Sequence, residues 1–163
     1  MAKAKVKLTE VEKLLKEASV RVNRLVYQET GYLIVKMMKD RIAKGLSPIE
    51  QQGRFPGYKD PKKYPAKVKG KFPSKRTRPV NLYLSGLFLS KLTSRVSPAK
   101  GQITIGFFDS YGRKLEQGHR EGANGQPSRP IIPESSEALA KSIRLAILKL
   151  YEQAVRKYLS SRK

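Results

Sequence analysis

Leu8, Val11, Leu15, Ala18, Val22 and Leu25 recur every three or four residues, a spacing that gathers them on one stripe of an α-helix. The pattern predicts an amphipathic helix over residues 8–44. Thr9 and Glu12 form its capping box, the hydroxyl accepting from an early amide while the carboxylate reaches back. Leu33, Met37 and Ile42 extend the stripe, Gly31 is where a bend is expected, and Gly45 followed by Pro48 ends the segment. A second stripe, Leu139, Ile143, Ile147, Leu150, Ala154 and Tyr158, predicts a closing helix. Pro133 and Glu134 open it, since proline is tolerated in a first turn and an acid complements the helix dipole there. Residues 160–163 should fray.

Between the helices the period changes. Ile103, Ile105 and Phe107 alternate with polar or small residues, so 102–107 reads as a half-buried strand, followed by a turn at Asp109-Ser110-Tyr111-Gly112. Pro98 and Gly101 make residues 96–101 a loop through which a preceding strand can pair back. Leu82, Leu84, Leu87 and Phe88 around Ser85-Gly86 suit a short helix entered through a serine cap. Residues 118–128, polar and glycine-rich, read as an exposed loop tip carrying His119, Arg120 and Glu121.

Residues 54–80 have no apolar period at all. Ten Lys or Arg stand there against one acid, Asp60, and five of the ten prolines fall in the same stretch. Proline removes amide donors and restricts its predecessor, so the segment is expected to be an extended arm or long loop that orders against another subunit. Phe55, Tyr58, Tyr64 and Phe72 are interleaved with the charges and serve either as anchors to the chain's own body or as stacking contacts for a partner.

Charge then narrows the class of protein. Over 163 residues, Lys and Arg total 35 against 13 Asp and Glu, a net charge of +22, which implies acidic partners: nucleic acid, acidic protein faces or a membrane surface. The length suits one domain, 1–163, with extensions. Without cysteine there is no disulfide, thiolate metal site or cysteine nucleophile. No apolar run reaches the roughly twenty residues of a membrane-spanning helix.

Catalysis has little to work with. The chain holds one histidine, His119, in the expected loop tip, where an ordinary exposed side chain outweighs a general base. Glu116 and Glu121 beside it make a poor ligand set, so neither a metal nor a cofactor is expected. No phosphate-loop, dinucleotide-binding or nucleophile-elbow pattern occurs. Nor is there a zinc finger, an RNA-recognition signature or a helix-turn-helix, so any nucleic-acid contact is expected to be electrostatic and salt-sensitive.

The order of four weak motifs carries a resemblance. They are Leu82-Tyr83-Leu84-Ser85-Gly86-Leu87-Phe88; Ile103-Thr104-Ile105-Gly106; Tyr111-Gly112-Arg113-Lys114-Leu115-Glu116-Gln117-Gly118; and Arg129-Pro130-Ile131-Ile132-Pro133. Following a Pro- and Lys-rich arm, this succession resembles the bacteriophage neck and tail-completion proteins, the virion-morphogenesis, minor tail protein Z-like family. The likeness spans residues 53–163 in motif order, and the N-terminal helix matches only in type. Gly112 stands where that family usually has alanine, and Ile131-Ile132 replaces an aromatic-led pair.

The resemblance implies an α+β fold, two long helices packed with a small antiparallel β-sheet plus an extended basic arm. It also implies a structural, non-enzymatic virion protein of the neck or top of the tail, assembled in the host cytoplasm. Its partners would be other neck, connector or tail proteins and copies of itself in a homo-oligomeric ring of about six. A ring would also pair exposed sheet edges and neutralise the arm. Packaged DNA is a further nonspecific contact, and a membrane is not expected. Lys62, Lys63, Lys67, Lys69, Lys71, Lys75, Arg76 and Arg78 are the candidate partner or DNA contacts, acting collectively. Arg129 with Pro130 is the candidate structural anchor, because a guanidinium can hold carbonyls or a carboxylate in fixed geometry while proline sets the chain direction. The competing reading is a protein that coats nucleic acid nonspecifically, which would concentrate its basic residues in one open groove.

Overall fold

The computed structural model describes residues 5–6, 24–60, 70–83, 85–97, 100–134 and 136–160. In chain order these hold β1 (Lys5–Val6), α1 (Arg24–Ala43), α2 (Leu87–Ser90), β2 (Leu92–Ser97), β3 (Gln102–Phe107), α3 (Ser110–Glu121) and α4 (Lys141–Ser160), with short 3-10 turns at Glu50–Gln52 and Ala123–Gly125. The fold is mixed helix and strand. The sheet is antiparallel in the order β1-β3-β2, with β1 a two-residue pairing of Lys5 and Val6 against Thr104 and Ile103.

Alternation in β3 works as the sequence predicted. Ile103, Ile105 and Phe107 are buried and face the same side as Leu92 of β2, which pairs with Phe107. Gly101, with φ of 57°, turns the chain between the two strands. Helix α1 covers this apolar face and also packs against α4, which runs back along it so that Arg41 Nη1 donates to Ser142 Oγ at 3.2 Å.

The buried face of α1 is Tyr27, Thr30, Ile34, Val35, Met38 and Ile42, whereas Leu33 and Met37 are only half-buried. The predicted stripe was therefore offset, because α1 meets both the sheet and α4 and so needs a wider apolar face than one stripe supplies. Gly31 makes no break in the helix. A Cβ there would lie 2.6 Å from Ser94 Oγ, so the glycine admits β2 to close approach instead of bending α1. The expected start at residue 8, with its Thr9–Glu12 capping box, lies outside the described residues.

The closing helix begins at Lys141, not at Pro133. The described residues of 129–140 form no helix, and the reason is competition for backbone hydrogen bonds. Glu50 N–H donates to Ala138 O at 2.9 Å, Ala140 N–H donates to Pro48 O at 2.8 Å, and Ile49 bridges Leu139. Those partners come from nearly a hundred residues upstream and are invisible to local propensity. Within α4 the inward residues are Ile143, Ile147 and Tyr151, preceded by Leu139 and Ala140; Leu150 and Ala154 are half-buried. Each fully buried Ile contributes about 1.5–3 kcal/mol through lost water contact.

Three local predictions are corrected. Asp109 begins a helix and not a free-standing turn: its Oδ1 accepts from Gly112 N–H at 2.9 Å, the N-cap of α3. The supposed loop tip at 118–128 starts inside that helix, which ends at Gly122 in the left-handed conformation. Ser85 stands one residue before the N-cap of α2 and is not its cap. Ser85 Oγ accepts from Leu87 N–H at 3.3 Å, while Gly86, with φ of 84°, is the residue entering the four-residue α2. Leu84 lies outside the described residues.

Among the described residues no helix is long and apolar enough to cross a membrane.

Candidate functional site

Arg129 is the most deeply buried charged side chain described, 2% exposed. Its Nε donates to Pro56 O at 2.9 Å and its Nη2 to Gly57 O at 2.7 Å, while the guanidinium carbon lies 4.5 Å from the centroid of the Tyr58 ring. One side chain thus grips three consecutive residues, two by carbonyl and one by ring, and a planar guanidinium is the side chain suited to that. The main chain joins in, since Arg129 N–H donates to His119 O at 2.6 Å. Pro130 is also buried, and its carbonyl accepts from Ser47 Oγ at 3.2 Å. Arg129 and Pro130 therefore tie the segment after α3 to the loop that follows α1.

A second cation shares the Tyr58 ring: Lys75 Nζ lies 5.0 Å from its centroid. Burial, followed by the nearby Arg129 charge, pushes the Lys75 pKa down to about 8. His119 is half-buried beside Phe88, with ring centroids 5.3 Å apart. Burial first, then the charges of Arg129 and Lys75, bring its pKa down to about 4, so the imidazole is neutral near pH 7. The sequence placed this histidine on an exposed tip; the helical register of α3 turns it inward instead.

Phe88 stacks on Phe107 at 4.7 Å with the rings 9° from parallel. Gly112 closes this stack: a Cβ at that position would sit 2.7 Å from Phe107 Cδ1 and 3.0 Å from its Cβ. Glycine at 112, where the resembled family usually has alanine, makes room for this phenyl ring. Further along α3, Arg120 meets Glu116 at 3.3 Å, Glu134 at 3.1 Å and Glu137 at 3.6 Å, and donates to Ile132 O. These three carboxylates are held by one guanidinium, and no group of three or more metal-ligating side chains occurs among the described residues.

The predicted basic contacts separate into two sets. Lys62, Lys63, Lys67 and Lys69 lie outside the described residues. Lys71 is exposed, with Nζ 5.9 Å from the Phe72 centroid, and Arg76 and Arg78 are exposed as well. Lys75 is half-buried in the Tyr58 cluster. The two ends of the 54–80 stretch do not stand away from the body: Phe55 and Val80 are buried in the core, and Phe55 N–H donates to Gly45 O at 2.9 Å. Proline prevented regular structure there without preventing packing, because side chains such as Phe55 can fill a core from an irregular backbone.

Sequence reading missed Asn81. It is buried, its Oδ1 accepts from Arg76 N–H at 3.1 Å and Tyr83 N–H at 3.2 Å, and its Nδ2 donates to Ser74 O at 3.2 Å. The amide organises a loop whose next residue, Leu82, is buried with φ of 48°. An asparagine just before an apolar run was the available signal.

Comparison of the chain with protein-family models, with curated proteins and with solved structures finds no match.

Proposed function

We propose that this chain is a structural subunit of a bacteriophage neck, of the tail-completion type, working stoichiometrically in a homo-oligomeric ring of about six copies that joins tail to head. In this reading the two long helices and small antiparallel sheet form the body, and the basic stretch 54–80 supplies the contact with a neighbour. The protein is not an enzyme, takes no cofactor, and resides in the virion after assembly in the host cytoplasm.

The observation that carries the reading is how the four motifs meet in space. Phe88 of the first stacks on Phe107, which directly follows the second; Gly112 of the third makes room for that ring. Glu116 of the third accepts from Ile132 N–H of the fourth at 3.5 Å, and Arg129 of the fourth donates from its amide to His119. Motifs scattered over fifty residues of chain thus build one continuous patch, as motifs that define a shared fold should.

The distribution of charge supports assembly over the coating of nucleic acid. Among the described residues, exposed cations occur on α1 (Lys36), in the loop before α2 (Lys71, Arg76, Arg78), at the β2–β3 hairpin (Lys91, Arg95), on α3 (Arg113, Lys114) and on α4 (Lys149, Arg156), spread over several elements. The test is to produce the phage without this protein and examine the lysate by negative-stain electron microscopy. Filled heads and separate, unjoined tails are expected. Normal infectious particles would sink the assignment.

A further inference from the structure

Two guanidiniums, Arg95 on the outward face of the β2–β3 hairpin and Arg113 on α3, are held by a single residue. In β3 the side chains at 103, 105 and 107 face the core, so 102, 104 and 106 face outward, and Phe108 continues the outward row. Arg95 of β2, paired with Thr104, is exposed and lays its guanidinium carbon 4.1 Å from the centroid of Phe108. Gly106 lies between Thr104 and Phe108 on that face and has no side chain to obstruct the reach. Arg113, one turn into α3, is exposed as well and donates from Nη1 to Phe108 O at 3.0 Å. The ring of Phe108 therefore holds one arginine and its carbonyl holds the other.

A third cation belongs to the cluster. Lys91 is exposed and directly precedes Leu92, whose register partner is Phe107, so it stands at the Phe108 end of the hairpin; the Gly112 N–H first, and then Lys91 and Arg113, hold the Asp109 carboxyl below the usual carboxylate range. Asp109 is the acid of this corner among the described residues, and its Oδ1 is already engaged with Gly112 N–H. The outward residues of the hairpin, Thr93, Ser97, Gln102 and Thr104, carry no negative charge.

The geometry points to a docking site for the phosphate backbone of double-stranded DNA, built from Arg95, Arg113 and Lys91 around Phe108. Guanidiniums held in place keep their remaining N–H groups pre-aimed, and phosphate oxygens match their fork geometry. The neighbouring Thr93 hydroxyl is a second kind of phosphate donor. An acidic protein fits less well, because protein interfaces centre on apolar or aromatic anchors in desolvated pockets. Here the central aromatic is already covered by Arg95, and the exposed aromatic two residues past Asp109, Tyr111, ends in a hydroxyl. The site concerns the isolated chain and DNA, so it stands apart from the neck assignment, which the particle experiment tests separately.

The test is fluorescence anisotropy of a short labelled duplex titrated with the full chain across a range of NaCl concentrations. The Arg95→Ala/Arg113→Ala double variant is compared with Arg144→Ala/Lys149→Ala, which removes the same charge from exposed positions on α4. The hairpin pair should weaken binding about tenfold or more at low salt and reduce the log–log salt slope by about 2, close to 0.9 for each phosphate lost. The α4 pair should leave the slope nearly unchanged. Phe108→Ala keeps every cation but removes the platform, so it should lower affinity about threefold without changing the slope. Equal weakening by the two double variants would reduce the site to diffuse charge and overturn the proposal. So would loss of polyglutamate binding in the hairpin variant with DNA binding retained, which would assign the surface to an acidic protein instead.

Discussion

Replacing Arg129 with methionine keeps the volume and removes the charge, and the structure sets what that should cost. Two hydrogen bonds from a charged donor, to Pro56 O and Gly57 O, are lost, at about 1.5–3 kcal/mol each. The contact with Tyr58 contributes about 0.5–2 kcal/mol more. Two effects offset this gross loss. Pro56 and Gly57 are exposed, so their carbonyls can regain water, and removing one positive charge relieves Lys75. A net destabilisation of about 3 kcal/mol is the expected result. With a urea m-value of about 2 kcal/mol/M for a chain of this size, the denaturation midpoint should fall by about 1.5 M.

A second readout separates charge from packing. The chain has one histidine, so its imidazole resonances can be followed by NMR without overlap from others. In Arg129→Met the His119 pKa should rise from about 4, because one of the charges that depresses it has gone. Arg129→Lys should keep the pKa low yet still destabilise, since an ammonium cannot reproduce the fork that spans two carbonyls. A loss below about 1 kcal/mol in Arg129→Met, with the histidine titration unmoved, would refute the account of Arg129 as the tie between the two segments.

Two further outcomes follow from the same geometry. Ile147, 2% exposed in the middle of α4, should not tolerate aspartate: an unpaired buried carboxylate costs several kcal/mol, comparable with the whole stability of such a domain, and an unchanged melting temperature would remove Ile147 from the core. For pH, His119 is neutral in both folded and unfolded chains above about 6.5, so its contribution to stability is greatest there; between 6.5 and about 4 the unfolded chain takes up the proton first and stability falls, by at most about 1.4 kcal/mol per pH unit. Below about 4 both states are protonated and the loss stops. His119→Gln should flatten that slope in pH-dependent urea titrations, and an identical profile in the variant would contradict the burial of His119.

Periodicity alone located the elements whose order is local. The strand at Gln102–Phe107 and helical segments containing Ile42 and Ile147 follow from two- or four-residue spacing, which is fixed by backbone geometry whatever the surroundings; the pairing of a preceding strand was read from Pro98 and Gly101 in 96–101, of which Val96 and Ser97 belong to β2 itself. Composition likewise agrees with the described residues 54–60 and 70–80, which hold no helix or strand, because proline acts on its own residue and its neighbour. Tertiary structure decided the rest. Pro133 begins no helix because residues 138–140 find backbone partners at 48–50, and His119 is half-buried because α3 packs its register against Phe88. Phe55 and Val80 enter the core from a stretch that looks wholly solvated in composition. Arg129 was singled out from its place before proline, yet only the fold supplies the carbonyls of Pro56 and Gly57, more than seventy residues away in the chain. Local sequence fixes torsional preference; which distant groups become available to satisfy a buried amide or guanidinium is set by packing.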